Sequence, residues 1–126
     1  MLKIVKNTLA LIGILSSLTA CQTTPAEPKV QLTAEEVRVA FTNREWGWKK
    51  TTTHFNFGKD GSYTYKDSHS SLSGKYTISN DGILCAINSL EGKSPGLRTC
   101  YTFYKQGEKY VYYHDRSDKY YTAYLR

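Results

Sequence analysis

Apolar and polar residues alternate along most of this chain after residue 45, in short segments separated by turn residues. The predicted strands are 46–57, 62–66, 72–79, 83–88, 99–104, 109–114 and 120–125. Between two of them, Asn80-Asp81-Gly82 is a strong hairpin turn. About seven strands joined by short turns favour an antiparallel meander, since neighbours in sequence usually pair. We therefore expect a mainly β fold, either a strongly bent sheet or a small barrel.

A short helix is predicted in front of these strands, which adds a minor α element to the fold. Thr33 and Glu36 have the spacing of a capping box, in which each side chain accepts a hydrogen bond from the other's backbone amide. Val37 and Phe41 follow at helical spacing. The helix is expected to end near Asn43 and to cover one side or end of the sheet.

The first residues of the chain have the order of charges and apolar residues that is typical of an export signal. Lys3 and Lys6 precede the apolar run Leu9–Leu15, which is too short for a membrane-spanning helix of roughly 20 residues. The segment Leu18–Cys21 then resembles the lipobox of bacterial lipoproteins. That resemblance implies cleavage before Cys21 and attachment of acyl chains, such as palmitate, to this cysteine.

The lipobox divides the chain into three parts. Residues 1–20 are expected to be the signal peptide, 21–31 the lipidated cysteine with a flexible tether, and 32–126 a single small β domain. Two or more acyl chains give stable membrane anchoring, so the membrane is an expected partner through Cys21. Gln22 is not the Asp that commonly retains lipoproteins of Gram-negative bacteria in the inner membrane. The resemblance thus implies the outer membrane, with the domain on its periplasmic or its surface face.

The charge of the chain narrows the possible partners. The formal net charge is +6, and it falls by two when Lys3 and Lys6 leave with the signal peptide. The remaining basic residues are spread along the chain, and no nucleic-acid-binding motif occurs, so nucleic acid is not an expected partner. A mildly basic surface suits anionic envelope material such as phosphorylated lipid, lipopolysaccharide or wall polymer. It is equally compatible with a plain solvated surface.

Two cysteines remain after Cys21 is assigned to lipid. Cys85 and Cys100 would lie in an oxidising compartment, where disulfides persist, and we expect them to form one. A metal site or a nucleophilic thiol is the alternative, but neither cysteine has a histidine nearby in sequence. The bond would close a loop of about 15 residues, which the chain-entropy model values at roughly 3 kcal/mol.

The histidines His54, His69 and His114 do not form a recognisable catalytic or metal-binding set. None has a partner histidine at the close spacing that zinc sites often use. Asp67 near His69 and Asp115 beside His114 could each orient a base, but Asp and His are also common in turns. We therefore expect no metal, no cofactor and no enzymatic activity.

The aromatic residues are the remaining candidates for binding. All eleven tyrosines follow Cys21, and the period of the strands places Tyr110, Tyr112 and Tyr124 on one face, with Tyr121 partly on the other. Tyrosine suits both core edges and contact surfaces, so the rings could simply build the core. Alternatively, some form an exposed face that binds a glycan, lipid or protein. The candidates for that face are Trp46, Trp48, Lys109, Tyr113, Arg116 and Tyr121.

The order of several motifs resembles a bacterial family of small exported domains of unknown function. These are Leu32–Glu36, Trp46-Gly47-Trp48, Gly74-Lys75-Tyr76, Asp81–Cys85 and Thr99-Cys100-Tyr101, so the likeness covers most of residues 32–126. The resemblance implies the fold and the Cys85–Cys100 disulfide. It implies no activity.

Three functions are compatible with these observations. The first is a non-enzymatic envelope lipoprotein that acts as a binding or interaction module at the outer membrane. The second is a small barrel that binds an apolar ligand inside, as lipocalins do; seven or eight strands leave room for one small ligand. The third is inhibition of a hydrolase such as lysozyme, which is disfavoured because both proteins would be basic.

Overall fold

The computed structural model describes residues 27–89 and 96–126; the predicted signal peptide and Cys21 lie outside these ranges. Within them the chain forms one helix, α1 (Ala34–Phe41), and nine strands. The strands are β1 (Lys29–Gln31), β2 (Glu45–Gly47), β3 (His54–Phe57), β4 (Ser62–Lys66), β5 (Ser71–Ile78), β6 (Ile83–Asn88), β7 (Arg98–Gln106), β8 (Lys109–His114) and β9 (Lys119–Leu125). The predicted mainly β fold is confirmed. In this described part, no helix has the length and apolar character needed to cross a membrane.

Strands β2 to β9 form a closed antiparallel barrel. Each strand pairs with the next one along the chain, and β9 pairs back onto β2, where Trp46 lies opposite Leu125. The predicted meander and small barrel are therefore confirmed. Closure leaves no free edge among these strands, which removes a common route to aggregation.

The barrel has one strand more than the sequence predicted, because segment 46–57 contains two strands. β2 and β3 pair with each other, with Trp46 opposite Phe55. Thr53 stabilises the connection between them: its buried hydroxyl accepts a hydrogen bond from the Lys49 amide at 2.8 Å. The turn also needs glycine at position 47, since a Cβ atom there would lie 2.1 Å from the Thr53 carbonyl oxygen.

The predicted tether is shorter than expected, because its last residues belong to the sheet. β1 pairs antiparallel with the end of β7, from Lys29 opposite Gln106 to Gln31 opposite Tyr104. The Leu32 amide extends this contact by donating to the Phe103 carbonyl at 2.9 Å. The β structure thus begins three residues before the predicted boundary at residue 32.

Helix α1 closes one end of the barrel. The predicted capping box is present: the Thr33 hydroxyl accepts from the Glu36 amide at 3.2 Å, and the Glu36 carboxylate accepts from the Thr33 amide at 2.9 Å. The helix ends at Phe41, slightly before the predicted Asn43, because the backbone is already extended at Thr42, with φ −111° and ψ 155°. Phe41 is completely buried and stacks on Phe103 with ring centroids 4.1 Å apart.

The core between α1 and the middle of the barrel is largely aromatic. Trp46 is completely buried and lies at its centre, stacked on Phe55 at 4.4 Å between centroids. Its edges meet Phe41 at 5.1 Å and Tyr112 at 5.3 Å. Aromatic pairs at these distances add about 0.5–1.5 kcal/mol each beyond the area that they bury. The end of the barrel nearest α1 is therefore filled.

The predicted disulfide joins two neighbouring strands of the barrel. Cys85 in β6 lies directly opposite Cys100 in β7, with Cα atoms 4.1 Å apart, and the two sulfur atoms are bonded. The adjacent Leu84 and Tyr101 point inward and are buried. Because side chains alternate along a strand, the bond lies on the outer surface of the barrel.

Candidate binding cavity at the open end of the barrel

The end of the barrel opposite α1 is not filled. A cavity of about 320 Å³ opens there to the surface. Its lining consists mainly of rings, with Arg116 and a few aliphatic and polar side chains at the mouth. The rings belong to Trp48, Phe55, Tyr63, Tyr65, Tyr101, Tyr112, His114 and Tyr121.

Tyr101 and Tyr112 form the deepest part of the lining. Their exposed fractions are 5% and 1%, and their ring centroids are 5.6 Å apart. Burial raises the pKa of both phenols far above the usual value near 10, so both hydroxyl groups are protonated. Neither hydroxyl bonds to another described residue. Among the side-chain polar atoms of residues 27–89 and 96–126, Trp46 Nε1 alone is both fully enclosed and without a hydrogen-bond partner. The Tyr101 and Tyr112 hydroxyls also lack a partner, so they are not fully enclosed and are reached from the cavity.

One wall of the cavity is held by a chain of hydrogen bonds. Trp48 Nε1 donates to the Tyr65 hydroxyl at 3.3 Å, and this hydroxyl donates to Asp67 Oδ2 at 2.8 Å. Asp67 Oδ1 accepts from the backbone amides of His69 and Ser70, both at 2.8 Å. These amides, with the Tyr65 hydroxyl, lower the pKa of Asp67 to about 2. The carboxylate is therefore charged and has its partners within the wall.

His114 lies on the opposite wall as a neutral donor. The Ser117 amide donates to its Nδ1 at 3.1 Å, which places the ring proton on Nε2. Burial lowers the pKa of His114, so the ring is neutral at pH 7. The Tyr121 hydroxyl donates to Ser117 Oγ at 3.1 Å, and its ring stacks on Tyr112 at 5.5 Å. These contacts fix the positions of the Tyr121 ring and of the His114 ring with its Nε2–H donor.

The histidine–aspartate pairs considered from the sequence do not form. Asp115 Oδ1 accepts from the Cys100 amide at 2.9 Å and is not bonded to His114. Asp67 binds the amide of His69, not its ring. His54 lies apart from both, 3.1 Å from Glu45. Within the described ranges, no three His, Cys, Asp or Glu side chains are grouped to hold a metal ion.

The six binding candidates from the sequence do not share one surface. Trp48, Arg116 and Tyr121 line the cavity. Tyr113 lies on the outer surface, where its hydroxyl bonds to Asp118, and Lys109 is exposed near the closed end of the barrel.

The prediction that Trp46 belongs to an exposed binding face is wrong, because its ring is completely buried in the core and cannot contact a ligand from solvent. The faces expected for β9 were also reversed. Tyr121 points inward against Tyr112, whereas Tyr124 points outward to Lys50, whose Nζ lies 6.0 Å from the ring centroid.

Tyr101, Tyr112 and the inward side of His114 were not recognised as parts of one site. Their spacing carried part of the signal, because Tyr110, Tyr112 and His114 are alternate residues of β8 and share a face. That pattern distinguishes inside from outside. It does not distinguish a ring in the filled core from one at the open end.

Comparison with known proteins identifies a family. No curated protein and no solved structure matches this chain. A family match extends over residues 8–123, which includes the barrel up to Ala123 in the last strand. The chain therefore belongs to the family described as "Protein of unknown function (DUF995)", in agreement with its resemblance to small domains of unknown function.

Proposed function

We propose that this chain is a non-enzymatic binding protein of the bacterial cell envelope. Its barrel binds one small, largely apolar molecule through the open end, and acyl chains on Cys21 anchor it to the outer membrane. The observation that supports ligand binding is the aromatic cavity of about 320 Å³ at one end of a barrel whose other end is filled.

The size and lining of the cavity suit a ligand of about two rings. Small-molecule sites usually measure about 300–1,000 Å³ and combine apolar walls with a few placed polar groups. An apolar cavity of about 150 Å³ is enough to hold benzene. The volume here is roughly twice that, and the hydroxyls of Tyr101 and Tyr112 supply polar groups at its deepest point.

The walls of the cavity are already ordered without a ligand. Tyr65 and Tyr121 are held by hydrogen bonds to Asp67 and Ser117. The strands behind them belong to a closed barrel with a disulfide on its outer surface. A ligand therefore meets a preformed site, which limits the ordering cost that would otherwise reduce its affinity.

The envelope location is supported by the beginning of the chain. Lysines, an apolar run and the segment Leu18–Cys21 occur in the order of a lipoprotein signal. The family match begins at residue 8, so it includes most of this segment together with the barrel. A disulfide also suits an oxidising compartment outside the cytoplasm.

A non-enzymatic role is supported by the state of His114. Its Nδ1 already accepts a hydrogen bond from the Ser117 amide, and its Nε2 carries the proton. The group that this ring offers is therefore a hydrogen-bond donor, whereas a general base needs a free lone pair.

Ligand binding can be tested with 2-naphthylmethanol, a neutral two-ring probe. The purified full chain is placed in phosphatidylcholine vesicles, and bound probe is measured by equilibrium dialysis against protein-free vesicles. Leu72, which lines the cavity, is changed to Trp to block it. Ile87→Trp is the matched control, since Ile87 is 46% exposed on the outer surface.

We expect one probe molecule per chain, bound by the wild type and by Ile87→Trp and lost in Leu72→Trp. A wild type that binds no probe, or a Leu72→Trp variant that binds as well as the wild type, would refute the binding proposal. The anchor is tested separately by labelling cells with radioactive palmitate. Label should be incorporated by the wild type and be absent from Cys21→Ala, and an unlabelled wild type would exclude lipidation.

A further inference from the structure

Several polar groups that line the cavity can donate a hydrogen bond to a ligand. The hydroxyls of Tyr101 and Tyr112 have no partner among the described residues, and His114 presents its Nε2–H. Arg116 lines the mouth and is exposed. The cavity thus has neutral donors at depth and a permanent positive charge at its opening.

The carboxylates near the cavity are bound elsewhere. Asp67 accepts hydrogen bonds on both oxygens, from the Tyr65 hydroxyl and from the amides of the following loop. Asp115 accepts from the Cys100 amide. None of the described residues that line the cavity is acidic. A ligand with hydrogen-bond acceptors and negative charge therefore has free donors here, whereas a cation finds no acidic side chain among the described residues of the lining.

We propose that the cavity binds an aromatic or similarly flat apolar acid, with its rings against Tyr112 and Tyr121 and its carboxylate at Arg116. This inference rests on the proposed function and names the ligand class for the same site. The rings of the ligand replace water over the aromatic walls. Its carboxylate stays at the mouth, where the guanidinium can donate two parallel hydrogen bonds to it.

Aromatic walls alone could equally attract a cation, because ring faces carry partial negative charge. Arg116 decides against that reading, since an ammonium group at the mouth would lie beside a like charge. Arg116 is exposed, and exposed ion pairs are weak, so the preference for an anion is expected to be at most about fivefold and sensitive to salt.

The test uses three probes that share a naphthalene ring and differ in charge. They are 2-naphthoate, 2-naphthylmethanol and 2-naphthylmethylammonium, measured at pH 7 by equilibrium dialysis with the full chain in phosphatidylcholine vesicles. Arg116→Gln removes the charge at the mouth. Arg38→Gln is the control, because Arg38 lies on α1 at the closed end and pairs with Glu35 at 3.6 Å.

We expect naphthoate to bind up to about fivefold more tightly than the alcohol, and the ammonium probe to bind most weakly. Arg116→Gln should reduce naphthoate affinity to within about twofold of the alcohol without changing the affinity of the alcohol itself. Arg38→Gln should bind all three probes as the wild type does. Added sodium chloride should weaken the binding of naphthoate to the wild type.

The possible failures of the two proposals are distinguishable. If the alcohol binds and naphthoate is no tighter, or the ammonium probe is tighter, the acid-binding inference is wrong and the binding cavity stands. If naphthoate keeps its advantage in Arg116→Gln, the assigned role of Arg116 is wrong and the inference fails. If no probe binds, both proposals fail.

Discussion

Removal of the Tyr112 hydroxyl should leave the stability of the barrel unchanged or raise it. The Tyr112 residue is only 1% exposed, and its hydroxyl, which is reached from the cavity, has no partner among the described residues. Tyr76 provides the contrast, because its hydroxyl donates to the Gly58 carbonyl at 2.5 Å. Tyr112→Phe and Tyr76→Phe delete the same atom, so their difference isolates the hydrogen bond.

The expected magnitudes follow from the two environments. Loss of the Tyr76 hydrogen bond should lower the free energy of unfolding by about 0.5–1.5 kcal/mol. Loss of the unpaired hydroxyl at Tyr112 should change it by about 0 to +1 kcal/mol, since no hydrogen bond to another described residue is broken and a largely desolvated polar group is removed. In a domain of this size, 1 kcal/mol shifts Tm by about 4–8 °C.

The assay is thermal unfolding followed by circular dichroism, with the disulfide kept oxidised, and urea unfolding as a second measure. Tyr76→Phe should melt several degrees below the wild type, and Tyr112→Phe at or above it. A Tyr112→Phe variant that melts as low as Tyr76→Phe would refute the reasoning, because its hydroxyl would then have a partner in the folded chain.

Three further outcomes are expected. Thr53→Val should lower the free energy of unfolding by about 1–3 kcal/mol in urea, because the Lys49 amide loses its partner; Thr53→Ser should restore most of it, and equal stability of all three would contradict the assigned hydrogen bond. Replacement of both Cys85 and Cys100 by Ala should cost about 3 kcal/mol, and a variant as stable as the oxidised wild type would exclude a stabilising disulfide. Burial raises the pKa of Tyr63 to about 12, above its unfolded value, so its contribution to stability is complete below pH 10 and declines as the pH rises through 12. Absorbance at 295 nm should show this delayed ionisation in Tyr63 but not in the unfolded chain, and its absence from the difference between wild type and Tyr63→Phe would contradict the burial effect.

The local features of the fold were predictable because their signals are local. The capping box of Thr33 and Glu36 depends on residues three apart, and both of its hydrogen bonds are present. The hairpin turn at Asn80-Asp81-Gly82 is present for the same reason: Gly82 has a φ of 83° that other residues adopt with strain.

The division of segment 46–57 was not predictable from its composition. The connection between β2 and β3 contains Lys49, Lys50 and three threonines, and threonine is itself common in strands. What ends β2 is the hydrogen bond between Thr53 and Lys49, together with the close approach of Gly47 to the Thr53 carbonyl. These contacts form only in the folded loop, and segment 46–57 contains no Pro and no Gly pair that would indicate a turn.

The cavity was missed for a different reason. Trp46 and Trp48 are alternate residues and both point into the barrel, yet one is in the filled core and the other lines the cavity. Alternation reports the side of a sheet on which a residue lies. Depth along the barrel axis depends on strand tilt and on where α1 inserts, and both are properties of the whole fold.

The position of β1 gives the anchored barrel a direction. β1 joins β7 at the end closed by α1, so the chain leaves the barrel at the pole opposite the mouth. Cys21 precedes Lys29 by only a few residues, and a fully extended segment of that length reaches about 26–29 Å. With Cys21 acylated as proposed, the attachment lies on the side of the closed pole, and the mouth opens on the far side of the barrel from it. The anchor therefore does not obstruct the mouth, which stays free to take a ligand from water.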